Sequence, residues 1–355
     1  MSGQRLRVLS VTSVRNEGPY LLEWIAHHRA AGVTDFLVYS NDCDDGTDLM
    51  LDRLQNAGVL THVPHQKQPK KSIQWQALKS AWKHPLRKKA DWVLVSDVDE
   101  YLNIHTKGHT ISDLLGAVPD QADGVILPWR LFGHNDVLDI EDRPVTEQFT
   151  RAIPPDTAYP VSAGFFKTLF RTKGPFNQLG VHRPQQKTGP HATSPTFVDG
   201  SGKLLPAAFA DNTKRLSLFM ISNGRSMVEL NHYAIRSAAA FLVKSARGLP
   251  NRAHKKVDLA YWVERNFNTV EDHSIKKMSG ATEVALEELR QIDGIAELHS
   301  KDVAWHQNRF RELVREEDYH QLLTQILTAS GSAVLPQGLQ RQLVRWYQVV
   351  NTSKS

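Results

Sequence analysis

The fold is decided by the stretch Asp91-Trp92-Val93-Leu94-Val95-Ser96-Asp97-Val98-Asp99-Glu100-Tyr101-Leu102. Its apolar, β-branched first half predicts a buried strand, and that strand stops at three carboxylates within four positions. Residues two apart in an extended chain point the same way, so we expect Asp97 and Asp99 to project together where the strand leaves the sheet. In an open α/β sheet, ligands bind at the carboxyl ends of the strands.

Two carboxylates held close together repel each other unless a positive charge lies between them. Hard oxygen ligands suit Mg²⁺ or Mn²⁺, so Asp97 and Asp99 predict a divalent metal site. His182 and His232 each follow an apolar run, at the predicted end of a strand, and either imidazole is a candidate to complete the site. The alternatives are a solvated acidic turn for the aspartates and a hydrogen-bonded structural role for each histidine.

Strand and helix patterns alternate through the first 100 residues, which predicts an α/β fold with a doubly wound, mostly parallel sheet. Further strands are predicted at residues 124–129, 165–170, 178–182 and 227–232. From about residue 281 the apolar residues recur at helical spacing. We therefore expect an α/β domain at residues 1–250 and a helical C-terminal extension at residues 251–355.

Composition places the chain among ordinary globular proteins: 355 residues, 41% hydrophobic, 23% charged, with a net charge of +5. That weakly basic balance fits an anionic ligand or membrane surface, and no nucleic-acid-binding motif is present. Cys43 is the only cysteine, which excludes a disulfide framework and a cysteine-based zinc site. The first residues lack a signal-peptide pattern, and no apolar run reaches 18 residues. We expect a cytoplasmic protein, with peripheral contact at the inner face of a membrane left open.

Polar loops follow the first three predicted strands. Asn16 and Glu17 follow the first, and the acidic loop at residues 42–48 follows the second, where an aspartate can accept hydrogen bonds from a nucleobase or ribose. The alternative for that loop is an Asp-Gly turn that caps the next helix. Lys71, in the basic loop after the third strand, and Arg15 are candidates to meet a pyrophosphate, or else are solvated surface residues.

Several enzyme classes are disfavoured because their motifs are missing. Neither a G-x-G-x-x-G loop after the first strand nor a Walker sequence occurs, which counts against a dehydrogenase or NTPase. The G-x-S-x-G elbow of an α/β-hydrolase is also missing.

Three ordered motifs carry a family resemblance, and two later segments add to it. The motifs are Val14-Arg15-Asn16-Glu17-Gly18-Pro19-Tyr20-Leu21-Leu22-Glu23-Trp24, Asn41-Asp42-Cys43-Asp44-Asp45-Gly46-Thr47, and the acidic stretch that ends at Leu102. Together they resemble GT-A glycosyltransferases of the family 2 type, closest to the branch related to family 92. Gly180-Val181-His182 and the segment from Asn231 to Gly248 also look like that branch, so the resemblance covers roughly residues 6–250.

The resemblance implies a GT-A-like fold, a nucleotide-sugar donor (a UDP-sugar favoured), Mn²⁺ or Mg²⁺, and transfer to a hydroxyl of a glycan or glycoconjugate, as in polysaccharide biosynthesis. Inversion at the sugar carbon is expected. By the same resemblance Asp97 and Asp99 hold the metal and the donor diphosphate, and Asp42 or Asp44 meets the base. Glu17 lies near the nucleotide, and His232, or else His182, is the late ligand to the metal or diphosphate.

The catalytic base is unassigned, because the family 2 pattern of a Glu-Asp pair after the metal motif is not found at its expected distance. Asp199, Glu229 and Asp272 are the candidates. Two other function classes stay open: a nucleotidyltransferase with two-metal chemistry, and a non-catalytic sugar- or nucleotide-binding module. The helical tail is expected to be a stabilising extension, with roles at the acceptor, a partner or a membrane as alternatives.

Overall fold

The computed structural model describes residues 6–66, 72–189, 192–211, 224–248 and 257–352. The strands of this part of the chain are β1 Val8–Val14, β2 Asp35–Ser40, β3 Thr61–Pro64, β4 Trp92–Val95, β5 Glu100–Ile104, β6 Gly124–Leu131, β7 Arg151–Ala152, β8 Phe166–Arg171, β9 Phe176–Gln178, β10 Gln185–Gln186, β11 Phe197–Val198, β12 Val228–His232 and β13 Val270–Glu271.

The helices of the described residues lie between the strands and after the last of them. They are α1 Gly18–Ala30, α2 Thr47–Asn56, α3 Ile73–Lys83, α4 Pro85–Lys89, α5 Ile111–Ala117, α6 Val145–Gln148, α7 Ala207–Asp211, α8 Ala238–Arg247, α9 Leu259–Val263, α10 Ser279–Arg290, α11 Ile295–Leu313, α12 Glu317–Ala329 and α13 Gln337–Thr352. Short 3₁₀ helices span Val161–Gly164 and Ser274–Met278.

A mixed sheet forms the centre of the molecule. Its strand order is β3-β2-β1-β4-β8-β6-β12-β5, and β11 also pairs with β6. The four strands β3, β2, β1 and β4 are all parallel, with Val11 of β1 in register with Leu37 and Val95. Helices α1, α2 and α3 connect them, as the alternating pattern predicted. The predicted α/β fold is therefore confirmed.

Beyond β4 the sheet becomes mixed. Strand β8 runs antiparallel to both β4 and β6, and β5 closes the far edge antiparallel to β12. The direction of these later strands was not readable from the sequence, because strand direction depends on which distant segment supplies the hydrogen-bond partners.

The predicted strand at residues 178–182 is wrong. Strand β9 ends at Gln178 and pairs with the short β10. The chain then turns tightly at Gly180, where a Cβ atom would lie 2.0 Å from the carbonyl oxygen of Arg183. Only glycine permits that approach, so His182 lies in a turn.

The two faces of the sheet pack against different layers. One face buries Leu9, Val11 and Leu37 with Leu78 of α3. The other buries Val8 and Val38 with α1, whose Leu21, Trp24 and Ile25 are fully buried. The alternation of buried positions along β1 follows from the two-residue period of a strand.

The C-terminal helices pack directly on this second layer. Helix α10 lies along α1, and α11 contacts α1, α2 and α8. The proposed boundary at residue 250 stays a prediction. In the described part of the chain, no helix combines the length and apolar character needed to cross a membrane.

Candidate active site

The acidic turn, residues 97–99, lies between the end of β4 and the start of β5. Strand β4 ends at Val95, and the amide of Glu100 donates to the carbonyl of Asp97 at 3.0 Å. The expectation that Asp97 and Asp99 share one face of an extended strand is wrong, because the chain reverses between them. The two carboxylates therefore have different partners.

Asp99 is buried and is held by two distant elements. Lys244 of α8 donates from Nζ to Asp99 Oδ2 at 2.8 Å, and Nε2 of His232, the last residue of β12, lies 3.6 Å from Oδ1. Burial alone would raise the pKa of the Asp99 carboxyl, but the charge of Lys244 outweighs it and holds that pKa well below its ordinary range. Asp99 is therefore an anion with its own cation.

Asp97 has a separate set of partners. Lys167, a fully buried residue of β8, donates from Nζ to Asp97 Oδ2 at 3.0 Å and lies 3.3 Å from Glu100 Oε2, while Gln74 of α3 donates to Asp97 Oδ1 at 3.1 Å. Burial would lower the pKa of Lys167, but Asp97 and Glu100 raise it above its ordinary value. Burial also raises the pKa of Glu100 well above its usual range. The turn therefore carries one firm lysine–aspartate pair on each side.

The two histidines meet at one tryptophan. The ring centroid of Trp129 lies 4.1 Å from that of His232 and 5.5 Å from that of His182. Burial lowers the pKa of His182 to about 4, with the charge of Lys167 adding to the effect, and burial also lowers the pKa of His232. Both imidazoles are therefore neutral near pH 7, the form that binds a metal or accepts a proton.

Glu17 links the first strand's loop to the acidic turn. Its carboxylate pairs with Arg236 at 2.9 Å and with Arg247 of α8. Arg236 also donates to the carbonyl of Val98 at 3.1 Å and lies 3.5 Å from the centroid of the Tyr20 ring. Burial would raise the pKa of Glu17, but the two guanidinium groups lower it. A continuous run of charge pairs thus joins Glu17 to the turn that holds Asp99.

The acidic loop divides into exposed and buried carboxylates. Asp42 and Asp44 are exposed, and the backbone amide of Asp44 donates to Asn16 at 2.8 Å. Asp45 is buried and accepts from the amides of Thr47 at 2.9 Å and Gly18 at 3.1 Å, so it caps the starts of α2 and α1. The capping alternative therefore describes Asp45, and the roles of Asp42 and Asp44 stay predictions. Lys71 lies outside the described residues.

The three candidates for the catalytic base each have partners outside the acidic turn. Asp199 accepts the backbone amides of the turn that follows it, at 2.8 and 3.0 Å. Glu229 pairs with Arg225 at 2.8 Å, and Asp272 lies 3.5 Å from Arg130. All three carboxylates thus have structural partners, and the base stays unassigned.

Strand geometry places the Glu229 side chain on the opposite face of the sheet from His232. Glu229 and His232 lie three residues apart on β12, so their side chains point to opposite faces of the sheet. Trp129, Lys167 and Glu100 share the face of His232, as their registers on β6, β8 and β5 require. That face, at the carboxyl end of β4, is the candidate active site.

The possible protein ligands for a divalent metal at this site are carboxylates and imidazoles. Among the described residues, no group of three histidine, cysteine, aspartate or glutamate side chains converges on one point. Asp97 and Asp99 are hard oxygen ligands on one short turn, which fits an ion that takes one or two protein carboxylates and completes its shell with substrate phosphates. The residues fit such an open site and do not form an all-protein cage.

Sequence reasoning missed the role of the lysines. Lys167 lies in the apolar run Phe165-Phe166-Lys167-Thr168-Leu169-Phe170, and a lysine in a buried strand signals a buried anionic partner. Lys244 appeared only as part of a family-like segment. The repulsion between the two aspartates, from which a metal was inferred, is already offset by these two ammonium groups.

Comparison with solved structures gives distant similarities. The structure of S. aureus TarS 1–349 in complex with UDP is 12% identical, covers 88% of this chain and 92% of that chain, and superposes with a TM-score of 0.35. The same TarS fragment in complex with UDP-GlcNAc gives a TM-score of 0.32 at the same identity and coverage.

Curated relatives are similar over shorter stretches. A glycosyltransferase family 92 protein of Oryza sativa subsp. japonica is 31% identical over 108 residues, which are 29% of this chain and 17% of the rice protein. One from Arabidopsis thaliana is 30% identical over 103 residues, 28% of this chain and 17% of that protein. The matched stretch therefore spans about a sixth of each relative's length.

The sequence model of a protein family, described as Glycosyltransferase family 92, matches residues 11–201. This match covers more than half of the chain and contains the second half of β1, the acidic loop, the acidic turn and Lys167. The chain belongs to glycosyltransferase family 92.

Proposed function

We propose that this protein transfers a sugar from a nucleoside diphosphate sugar to a hydroxyl of a glycan or glycoconjugate, with inversion at the sugar carbon. The observation that carries the proposal is the acidic turn at the carboxyl end of β4, where Asp97 pairs with the buried Lys167 and Asp99 pairs with Lys244. Such a pair of fixed carboxylates surrounded by cations is suited to hold a diphosphate and the metal that accompanies it.

The electrostatics of the site support this reaction. A leaving diphosphate gains negative charge as the bond from the sugar carbon to the phosphate oxygen breaks. Lys167, Lys244, Arg236 and Arg247 are positive and already fixed by ion pairs, so they need little reorganisation during the reaction. These cations stabilise the departing group.

The bond changes follow from single displacement. The acceptor oxygen forms a bond to the sugar carbon on the face opposite the diphosphate, the bond from carbon to phosphate oxygen breaks, and the hydroxyl proton passes to a base. A carboxylate is the expected base, with Asp199, Glu229 and Asp272 as the candidates from the sequence. In this proposal Glu17 lies near the nucleotide, and Asp42 or Asp44 contacts the nucleobase.

Mn²⁺ or Mg²⁺ belongs to the proposal as well. Asp97 and Asp99 would hold the ion, and His232 or His182 would be the late ligand to the ion or diphosphate. When bound, the ion supplies Lewis-acid neutralisation of the diphosphate charge. The two lysines hold both carboxylates in place for the ion.

The proposal is tested by thermal shift with UDP, GDP, ADP and CDP, each with and without Mn²⁺. A ligand that binds only the folded protein stabilises it by about 2.7 kcal/mol at a hundredfold excess over its dissociation constant. We expect one diphosphate to raise the melting temperature of the wild type, more strongly with Mn²⁺. Asp99→Asn, which keeps the shape of the side chain, should abolish that shift.

The matched control is Asp293→Asn, which changes the same functional group on a side chain that is 100% exposed. It should keep the full shift. No shift with any of the four diphosphates would contradict a nucleotide-sugar transferase. A shift that Asp99→Asn retains would contradict the role of the acidic turn.

A further inference from the structure

A cavity of about 580 Å³ lies beside the candidate active site, and a C-terminal helix forms one of its walls. The loops after β1 and β2 contribute Arg15 and Asp44, α8 contributes Arg247, and α11 contributes Trp305 and Arg309. Its volume is within the 300–1,000 Å³ typical of small-molecule sites. Helix α11 lies outside the residues that the family model matches, so family membership assigns it no role.

Helix α11 is fixed against these loops by buried polar residues. Nε2 of His306 lies 2.9 Å from Oδ2 of Asp45, the residue that caps α1 and α2, and both side chains are buried. The Asp302 carboxyl, 1% exposed, fits between Gly18 and Gly46, where an added Cβ would lie 2.1 and 2.4 Å from its oxygens. These two contacts fix the position of α11 against the loops after β1 and β2, and Trp305 then lines the cavity.

The lining of the cavity combines an aromatic face with three guanidinium groups. The indole of Trp305 is half-buried and is supported by the His306 ring at a centroid distance of 5.0 Å. Arg15, Arg247 and Arg309 also line the cavity, each beside a carboxylate. Asp44 lies 3.9 Å from Arg15, Glu312 lies 2.9 Å from Arg309, and Glu17 pairs with Arg247. An aromatic plane suits a nucleobase, and guanidinium groups suit phosphate oxygens.

A row of buried ion pairs leads from the cavity wall to the acidic turn. Arg247 lines the cavity and pairs with Glu17, which pairs with Arg236, which donates to the carbonyl of Val98 inside the turn. Glu17 and Arg236 are each 7% exposed, so the row couples the two regions through the protein interior. A nucleoside diphosphate, with a flat ring at one end and anionic groups at the other, matches an aromatic plane on one wall of the cavity and the guanidinium group of Arg247 on another.

We propose that α11 forms the outer wall of the nucleotide-binding site, with Trp305 stacking on the nucleobase and Arg309 facing the ribose-phosphate. Asp302 and His306 are positioning residues that seat this wall on the loops after β1 and β2. The inference rests on the proposed function, and it adds a ligand-contacting element outside the family-matched region.

The test measures the affinity of the full chain for UDP, GDP, ADP and CDP by titration calorimetry, in wild type, Trp305→Ala and Trp305→Phe. Loss of one aromatic stacking partner should weaken binding of the preferred diphosphate by about tenfold or more in Trp305→Ala. Trp305→Phe should recover most of it. Trp346→Ala is the matched control, because Trp346 is 55% exposed on α13 and does not line the cavity.

Three outcomes decide between the two proposals. Weaker binding in Trp305→Ala, with recovery by phenylalanine and no change in the Trp346 control, supports the α11 wall. Wild-type binding that Trp305→Ala leaves unchanged overturns the α11 wall and leaves the transferase proposal standing. Failure of the wild type to bind any of the four diphosphates overturns both.

If Trp305→Ala does not fold, the fluorescence of the folded Trp305→Phe variant provides the test. Binding should quench tryptophan emission in the wild type, and most of that change should be lost in Trp305→Phe. An undiminished change in Trp305→Phe would overturn the stacking contact. His306→Asn adds a positioning readout: it should raise KM for the donor more than it lowers kcat, because the wall shifts while the acidic turn is untouched.

Discussion

The acidic turn at residues 97–99 and the acidic loop at residues 42–48 lie at the same edge of the sheet and use the same residue type for different ends. In the turn, Asp97 pairs with the buried Lys167 of β8, and Asp99 pairs with Lys244 of α8. In the loop, Asp42 and Asp44 are exposed, and Asp45 accepts hydrogen bonds from the first amides of α1 and α2. The role of a carboxylate in this protein therefore depends on which cation the fold places beside it.

The two regions differ again in how their charges balance. At the turn every buried carboxylate has a lysine within 3.3 Å. At the loop, Asp302 adds a further carboxyl, and neither of its oxygens has a hydrogen-bond partner among the described residues. Burial, with Asp45 and Asp48 nearby, raises the pKa of Asp302 to about 8. Asp99 at the turn is therefore held as an anion by Lys244, whereas Asp302 beside the loop is buried in its protonated form.

The strongest way to break this comparison is to remove a cation from the turn. Lys244→Met should lower the free energy of unfolding by about 3–5 kcal/mol, because it leaves Asp99 buried without its ammonium partner. Urea unfolding measures this. The double variant Lys244→Met with Asp99→Asn should recover part of the lost stability and still lack sugar transfer. Additive losses in the double variant would show that the two residues are not coupled.

The close packing of the Asp302 carboxyl of α11 against Gly18 is tested by adding a methyl group at Gly18. Gly18→Ala should lower the free energy of unfolding by about 2–3 kcal/mol, because its Cβ would lie 2.1 Å from the Asp302 carboxyl. Asp302→Gly makes room, because it removes both the carboxyl and the Asp302 Cβ, which would lie 2.5 Å from the added atom. The double variant should therefore lose clearly less stability than the sum of the single variants. Gly116→Ala is the matched control, because its added Cβ would meet nothing within 4 Å. Gly58→Ala is unsuitable, because Gly58 has a φ of +74°, which alanine rarely adopts.

The protonation of Asp302 predicts a pH dependence of stability. An unfolded aspartate has a pKa near 3.9, so between about pH 4 and pH 8 the folded protein holds a proton that the unfolded chain has released. Stability from this group is therefore highest below pH 4 and declines as the pH rises to about 8.

Asp302→Asn should remove that decline. Between pH 5 and pH 8.5 the wild type should lose roughly 1–3 kcal/mol more unfolding free energy than the variant, measured by urea titration at each pH. Asp45, Asp48 and His306 face Asp302 and are kept in the variant, so the two proteins differ by one functional group. Parallel pH profiles would contradict a protonated Asp302.

The smallest effect is expected at the exposed part of the loop. Asp44 is an exposed residue 3.9 Å from Arg15, and exposed pairs of this kind contribute about 0–1 kcal/mol. Asp44→Asn should change the free energy of unfolding by less than about 0.5 kcal/mol, by thermal or urea unfolding. A large loss would show that this carboxylate is structural after all and would erase the contrast with Asp45.

Local patterns predicted much of the fold because they report burial. The alternation of apolar strands and amphipathic helices located β1 to β4 and α1 to α3, and it marked β6, β8 and β12. It failed at residues 178–182, where the steric constraint at Gly180 outweighs strand propensity. It also failed at Asp97 and Asp99, because three polar residues in four positions favour a turn over a continued strand.

The site was less predictable, since its pairs join residues far apart in the chain. Asp99 and Lys244 are separated by 145 positions, and Asp45 and His306 by 261. Hydrophobic periodicity and secondary-structure propensity reflect only a few neighbouring residues, so they carry no information on such distant pairs. The three candidate bases illustrate this: each is an acid in a plausible segment, and each lies beside its own structural partner.

The sequence by itself determined the α/β class, the acidic turn after a buried strand and the family resemblance, because each depends on residue types at short spacing. Only the tertiary structure decided that two lysines hold the two aspartates, that Asp45 serves as a cap, and that α11 faces the loops after β1 and β2. The physical reason is that charge pairing and close approach depend on distances in space, and those distances are set by the packing of the whole chain.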